Sequence, residues 1–300
     1  MTRTQPDKSD KIVVQNLKVG YDDYTVLHDV SFRVRQGDIF IIMGASGCGK
    51  STLLRVFTGL LPARQGHVIV NGTDMIRATP TEKDTVMRNC GILYQSGALF
   101  SAMTLADNIA LPMKLYTDYS DMMIRDMVRW KLALVGLAGF EDFYPAEISG
   151  GMKKRAGLAR ALALDPDIVY FDEPSAGLDP IASRRLDDLI GDINQSMGTT
   201  IVMVTHELSS LLHIGTNGVF LDASTKTVGA VGRPADLKRN PPNAAVAAFL
   251  TSGESHAHKT KKKSNRIIFT DGHCGLVPDC RAGRHRAFVE SGQIYGRDVL

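Results

Sequence analysis

The chain has 300 residues, of which 44% are hydrophobic and 22% charged; this is ordinary globular composition and allows one large domain or two modest ones. No apolar run approaches the ~18 residues that span a bilayer. The polar stretch from Met1 to Lys11 has no signal-peptide core, so the expected compartment is the cytoplasm. Net charge is +3, but residues 251–300 alone hold nine Lys/Arg against five Asp/Glu. The first 250 residues therefore total −1, which gives no support to a nucleic-acid surface. The four cysteines, 48, 90, 274 and 280, are scattered without zinc spacing, as suits a reducing compartment.

In chain order, residues 12–19 and 26–35 read as two strands, the second by strict alternation. The polar turn between them holds Tyr21 and Tyr24. An aromatic there either stacks on a base or fills the strand. Ile39 to Met43 is a buried apolar strand, and it runs straight into Gly44-Ala45-Ser46-Gly47-Cys48-Gly49-Lys50-Ser51. This is G-x-x-x-x-G-K-S, a phosphate-binding P-loop, and Thr52 continues into a helix. The glycines let successive N–H groups curl toward phosphate oxygens, and the helix N-terminus adds partial positive charge. Lys50 is placed to reach β- and γ-phosphates, and the Ser51 hydroxyl to ligate Mg²⁺. Cys48 is either a small filler or a target for thiol reagents.

Gly59 and Pro62 end the helical pattern, and His67 to Val70 reads as a strand turning at Asn71-Gly72. Cys90 to Tyr94 is a short strand ending at Gln95. Residues 100–147 are Met-rich and helix-prone, punctuated by Pro112 and Pro145. Leu105, Ile109, Met113 and Leu115 fit one helical face; Met122, Met123, Met127 and Trp130 fit another. These methionines either pack helices or form an adaptable docking surface. Ser149-Gly150-Gly151 opens a helix rich in Ala, Leu and Arg that runs to Leu164. Ile168 to Phe171 is a buried strand delivering Asp172 and Glu173. A helix over 181–195 follows, then a strand over 200–204 that ends at Thr205-His206-Glu207. A hairpin near 219–229 and a helix over about 243–250 close the ordered part.

Four apolar strands thus end in Lys50/Ser51, Gln95, Asp172/Glu173 and His206, the parts of a phosphoryl-transfer site. Asp172 would hold Mg²⁺ through water. Glu173 would act as general base on the attacking water. Gln95 would touch both metal and water. His206 would hold the γ-phosphate or orient Glu173.

The stretch Ile148-Ser149-Gly150-Gly151-Met152-Lys153-Lys154-Arg155 resembles the signature motif of ABC-transporter ATPases. It precedes Asp172-Glu173, then Ser175-Ala176-Gly177-Leu178-Asp179, which resembles that family's D-loop, and then His206. Six motifs match in order across roughly residues 12–250. The resemblance implies an α/β fold: a P-loop NTPase core with an antiparallel β subdomain and an α-helical subdomain over about 97–160. It also implies ATP and Mg²⁺, with Tyr21 as the aromatic that stacks on adenine. In the family two cassettes close head to tail, so Ser149, Gly150, Gly151 and Met152 would complete the site of a second copy, and Asp179 would communicate across the interface.

Tyr94 to Phe100, with Met152 where the family usually has Gln, is similar to the Mla-type phospholipid transport ATPases of MCE systems. That branch implies a homodimer on the cytoplasmic face of the inner membrane, beneath integral-membrane permease subunits, with an MCE-domain protein and a STAS-domain subunit. Each permease would press a coupling helix beside Gln95 and residues 97–115. The alternative is the same engine driving an importer for another small solute. A soluble cassette protein of translation or repair usually has two fused cassettes or a long coiled-coil insertion, and neither is present. A catalytically dead cassette conflicts with intact Lys50, Gln95, Glu173 and His206. Residues 251–300 are expected to form a basic, disordered tail. The alternatives for it are docking on a neighbouring subunit, contact with anionic lipid, or a shifted reading frame.

Overall fold

The protein is described from a computed structural model over residues 10–251. The expected tail, with Cys274 and Cys280, lies outside these residues. Alternating apolar positions shape the smaller sheet. In β1 (Asp10–Tyr21) and β2 (Tyr24–Arg35) the inward residues include Ile12, Val14, Phe32 and Val34, all buried. These strands pair antiparallel and join β4 (Gln65–Val70) and β5 (Thr73–Asp74) in the order β2-β1-β4-β5.

The larger sheet is built from near-continuous apolar strands, as a sheet covered on both faces requires. Its members are β3 (Ile39–Met43), β6 (Cys90–Leu93), β7 (Ile168–Asp172), β8 (Thr200–Val204), β9 (Asn217–Asp222) and β10 (Thr227–Val231). Their order is β10-β9-β3-β8-β7-β6, parallel throughout except for the β9-β10 hairpin. The two faces of β3 serve two cores. Phe40 and Ile42 pack toward the smaller sheet, where Phe32 stacks on Phe40 at 5.3 Å. Ile39, Ile41 and Met43 pack toward helices. Because β3, β8, β7 and β6 are parallel, their C-terminal ends share one edge.

The helices are α1 (Lys50–Phe57), α2 (Pro80–Arg88), α3 (Leu105–Tyr116), α4 (Asp121–Leu134), α5 (Gly150–Ala161), α6 (Pro180–Met197), α7 (Leu208–Ile214) and α8 (Pro234–Arg239), with further helical residues over 244–251. None among the described residues is long and apolar enough to cross a membrane.

Two expectations are corrected here, on Pro112 and Leu115, and one left open, on the methionines, is narrowed. Pro112 does not interrupt its helix: α3 runs through it. Ile109 and Met113 flank it with 0% exposure, and their packing holds the turn against the ~3 kcal/mol that an interior proline costs. Leu115 is off the buried face. Ten residues past Leu105 it stands about 80° away around the helix, and it is 63% exposed. Met122, Met123 and Trp130 do not pack inward either, being 70%, 51% and 48% exposed, while Met127 is half-buried. The inward face of α4 carries Ile124, Val128, Lys131 and Leu132 instead. Lys131 reaches past the helix to pair with Asp165.

Candidate functional site

The loop after β3 follows a path that only glycine permits. At Gly44 (φ +147°) a Cβ would stand 2.5 Å from the Leu221 carbonyl oxygen. At Gly49 (φ +103°) it would meet Val26 and Leu27 at 2.9 and 3.0 Å. Gly49 is also the N-cap of α1, so no side chain caps that helix, and no acidic residue lies in its first turn. Its first N–H groups are therefore open to an external acceptor. Lys50 is buried, with its ammonium donating to the carbonyls of Gly44 at 2.8 Å and Ala45 at 2.9 Å.

A cavity of about 660 Å³ opens over this loop, within the range of small-molecule sites. Residues 44–47 and 49–52 line it, together with Tyr21, Glu173 and His206. Tyr21 accepts from the Arg55 guanidinium at 3.2 Å, and bonds with Thr52 and Arg55 hold its phenol below the usual range. His206 Nδ1 lies 3.0 Å from Glu173 Oε1. Glu173 takes a left-handed backbone (φ 50°) directly after β7, its N–H donating to the Val204 carbonyl at 2.9 Å. Beside it, burial and then the Glu173 carboxylate raise the pKa of Asp172, against Arg55, the Ser51 hydroxyl and Lys50. Ser51 and Asp172 thus form an all-oxygen donor pair suited to a hard divalent cation.

Ser149 to Gly151 stand elsewhere. Ser149 caps α5 by accepting from the Met152 N–H at 3.3 Å. A second cavity, of about 800 Å³, is lined by Ser149, Gly150, Gly151, Leu178 and Asp179, and shares no residue with the first. Met152 is half-buried behind it, packed against the helical core. Asp179 caps α6, accepting from Ile181 and Ala182 N–H groups at 3.0 Å; the Ala182 bond leads in holding its carboxyl below the usual range. Gln95 is exposed two residues beyond β6 and lines neither cavity.

Sequence reasoning passed over three features. Val26 and Phe249 also line the first cavity, beside Tyr24 of the polar turn; Phe249 comes from the helical residues near the end of the described chain. Glu207 accepts from Ser183 at 3.1 Å, joining the end of β8 to α6. Lys154, given no role of its own within the stretch Ile148 to Arg155, is buried. Its position four residues before the buried Leu158 is the periodic signal that finds it.

Cys48 faces away from the cavity with 2% exposure, and burial pushes its thiol up. Burial also drives the Cys90 thiol up to about 12. Iodoacetamide at pH 8 is therefore expected to leave both unlabelled in the native protein and to label both after denaturation, as read by peptide mass mapping. Rapid native labelling of Cys48 would contradict its placement.

Residues 27–176 match the family model described as ABC transporter. The probable ribonucleotide transport ATP-binding protein mkl of Mycobacterium tuberculosis is 44% identical over 198 residues, which is 66% of this chain and 55% of that protein. The chain thus spans little more than half the length of such mycobacterial relatives. The intermembrane phospholipid transport system ATP-binding protein MlaF of Escherichia coli K12 is 38% identical over 225 residues, 75% of this chain and 82% of that protein. A solved dimeric ATP-binding cassette, in a post-hydrolysis state with ADP and Pi, matches with a TM-score of 0.67 at 25% identity, over 74% of this chain and 98% of that one. Because the family match runs from β2 through the glycine loop and α5 to the loop after β7, this chain belongs to the ABC transporter family, as an ATP-binding cassette.

Proposed function

We propose that the chain is the ATP-hydrolysing subunit of an ABC transporter that moves phospholipid between inner and outer membranes. The observation that carries the enzymatic part is the Glu173–His206 pair in the same cavity as the P-loop. Lys50 and the open N–H groups of α1 hold the β- and γ-phosphates, and Tyr21 stacks on the base. Glu173 takes a proton from a water whose oxygen bonds to the γ-phosphorus. The bond from that phosphorus to the β–γ bridging oxygen breaks, releasing ADP and phosphate. His206 keeps the Glu173 carboxylate in place. Ser51, Asp172 and Gln95 would hold Mg²⁺, which when bound would neutralise phosphate charge.

The separation of the two cavities supports a head-to-tail homodimer in which Ser149 to Met152 and Asp179 of one copy complete the site of the other. The dimer sits on the cytoplasmic face of the inner membrane beneath permease subunits, with an MCE-domain protein and a STAS-domain subunit as further partners. The likeness to MlaF, together with Tyr94 to Phe100 and Met152, supports phospholipid as the cargo. The likeness to mkl favours a second reading, in which the cargo is a small solute. Deleting the gene separates them. Phospholipid accumulating in the outer leaflet, with sensitivity to detergent that wild type rescues and Glu173→Gln does not, is the expected result. Normal outer-leaflet lipid together with lost uptake of a small solute would overturn the lipid reading.

A further inference from the structure

Lys154 lies on α5, just past the Ser149 cap, yet it turns away from solvent and is 7% exposed. Its ammonium donates to the backbone carbonyl of Pro174 at 2.6 Å and to that of Ala176. Those carbonyls belong to the loop between β7 and α6, which begins beside Glu173 and ends at Asp179. A buried lysine head with only neutral acceptors is costly. Here the carboxylates of Glu207 and Glu173 act on it and offset part of the burial that lowers its pKa. It is thus a cation set among α5, the end of β7, the following loop and the end of β8.

The loop it holds is short and bent. Ala176 donates to the Glu173 carbonyl at 3.2 Å, Leu178 to that of Ser175 at 3.0 Å, and Gly177 has φ +77°. Leu178 at its far end packs near Gly151, where a Cβ would meet its Cδ2 at 3.8 Å. The second cavity is therefore walled by α5 on one side and by this loop on the other, and Lys154 is the side chain that bonds one wall to the other.

We propose that Lys154 is a positioning residue that locks the 174–179 loop to the signature helix, so that Ser149, Gly151 and Asp179 present one rigid surface to a second copy of this chain. The proposal rests on the ATPase reading above. It assigns Lys154 no contact with nucleotide. Its removal should therefore leave the P-loop cavity able to bind ATP and should impair the step that needs the second cavity. Gln offers one amide where the ammonium reaches two carbonyls, and it leaves Glu173 and Glu207 without their cation. Arg restores both charge and multiple donors.

The test compares wild type with Lys154→Gln, Lys154→Met and Lys154→Arg in the full-length chain, using steady-state ATPase kinetics, binding of a fluorescent ATP analogue and thermal melting. Lys154→Gln and Lys154→Met are expected to lower kcat on the order of 10²-fold, as a small misplacement of reacting groups does. Analogue affinity and melting temperature should stay near wild type, and Lys154→Arg should recover most of the rate. Unchanged kcat in Lys154→Gln and Lys154→Met would overturn the proposal. So would a lowered melting temperature that accounts for the lost rate, or an Arg variant no better than Met. A wild-type chain without ATPase activity, by contrast, would strike the ATPase reading itself.

Discussion

Replacing Glu173 by Gln is expected to slow ATP hydrolysis by about 10²-fold or more, the usual consequence of losing a general base. The substitution keeps the shape and one acceptor oxygen, so His206 retains a partner at the position it now occupies 3.0 Å from Glu173 Oε1. Nothing changes in the P-loop or at Lys50, so ATP binding should persist. The dimer should then stay closed on ATP, and gel filtration at saturating ATP should show it. Single-turnover kinetics separates the chemical step from nucleotide release. A variant that turns over at the wild-type rate would assign proton abstraction elsewhere. One that fails to bind nucleotide would mean that Glu173 shapes the pocket.

Lys50→Ala should instead act on binding, weakening ATP affinity by on the order of 10²-fold or more, since it removes a buried, charge-assisted donor. The Lys50 ammonium bonds to the Gly44 and Ala45 carbonyls of the loop it serves. Its loss therefore deletes a cation and also frees two carbonyls that would repel phosphate oxygens. Titration with a fluorescent ATP analogue measures the loss directly. Undiminished affinity in Lys50→Ala would remove the lysine from the phosphate site.

Much of the nucleotide end was legible because its chemistry is local in sequence. The strand Ile39 to Met43, the glycine run and the start of α1 are contiguous, so one motif carries the whole unit. The helical part was harder. Face assignment over 105–130 depends on which neighbours cover each turn, and Met122 and Met123 carry the same apolar signal exposed as buried. Pro112 stays inside α3 because of packing from outside the helix, which no window of sequence contains. α7 and α8, seven and six residues long, are shorter than two helical periods and give little to detect. α2 is a different case. Thr79-Pro80-Thr81-Glu82 is a capping box with proline at N1, and both reciprocal bonds form, so the chain-order reading passed over a helix whose start the sequence does signal. Lys154 escaped because its burial is set by a loop some twenty residues downstream.

The left-handed backbone at Glu173 has a consequence for how this sequence tolerates change. A side chain with a branched or long stem is disfavoured there by about 1–3 kcal/mol, whereas Gly or Asn adopts the conformation with little strain. A selection for folded yield alone, blind to turnover, would therefore drift toward Gly or Asn at position 173. The carboxylate proposed as general base is kept against a standing local incentive to lose it, and thermostabilised variants of this chain need position 173 held fixed by design.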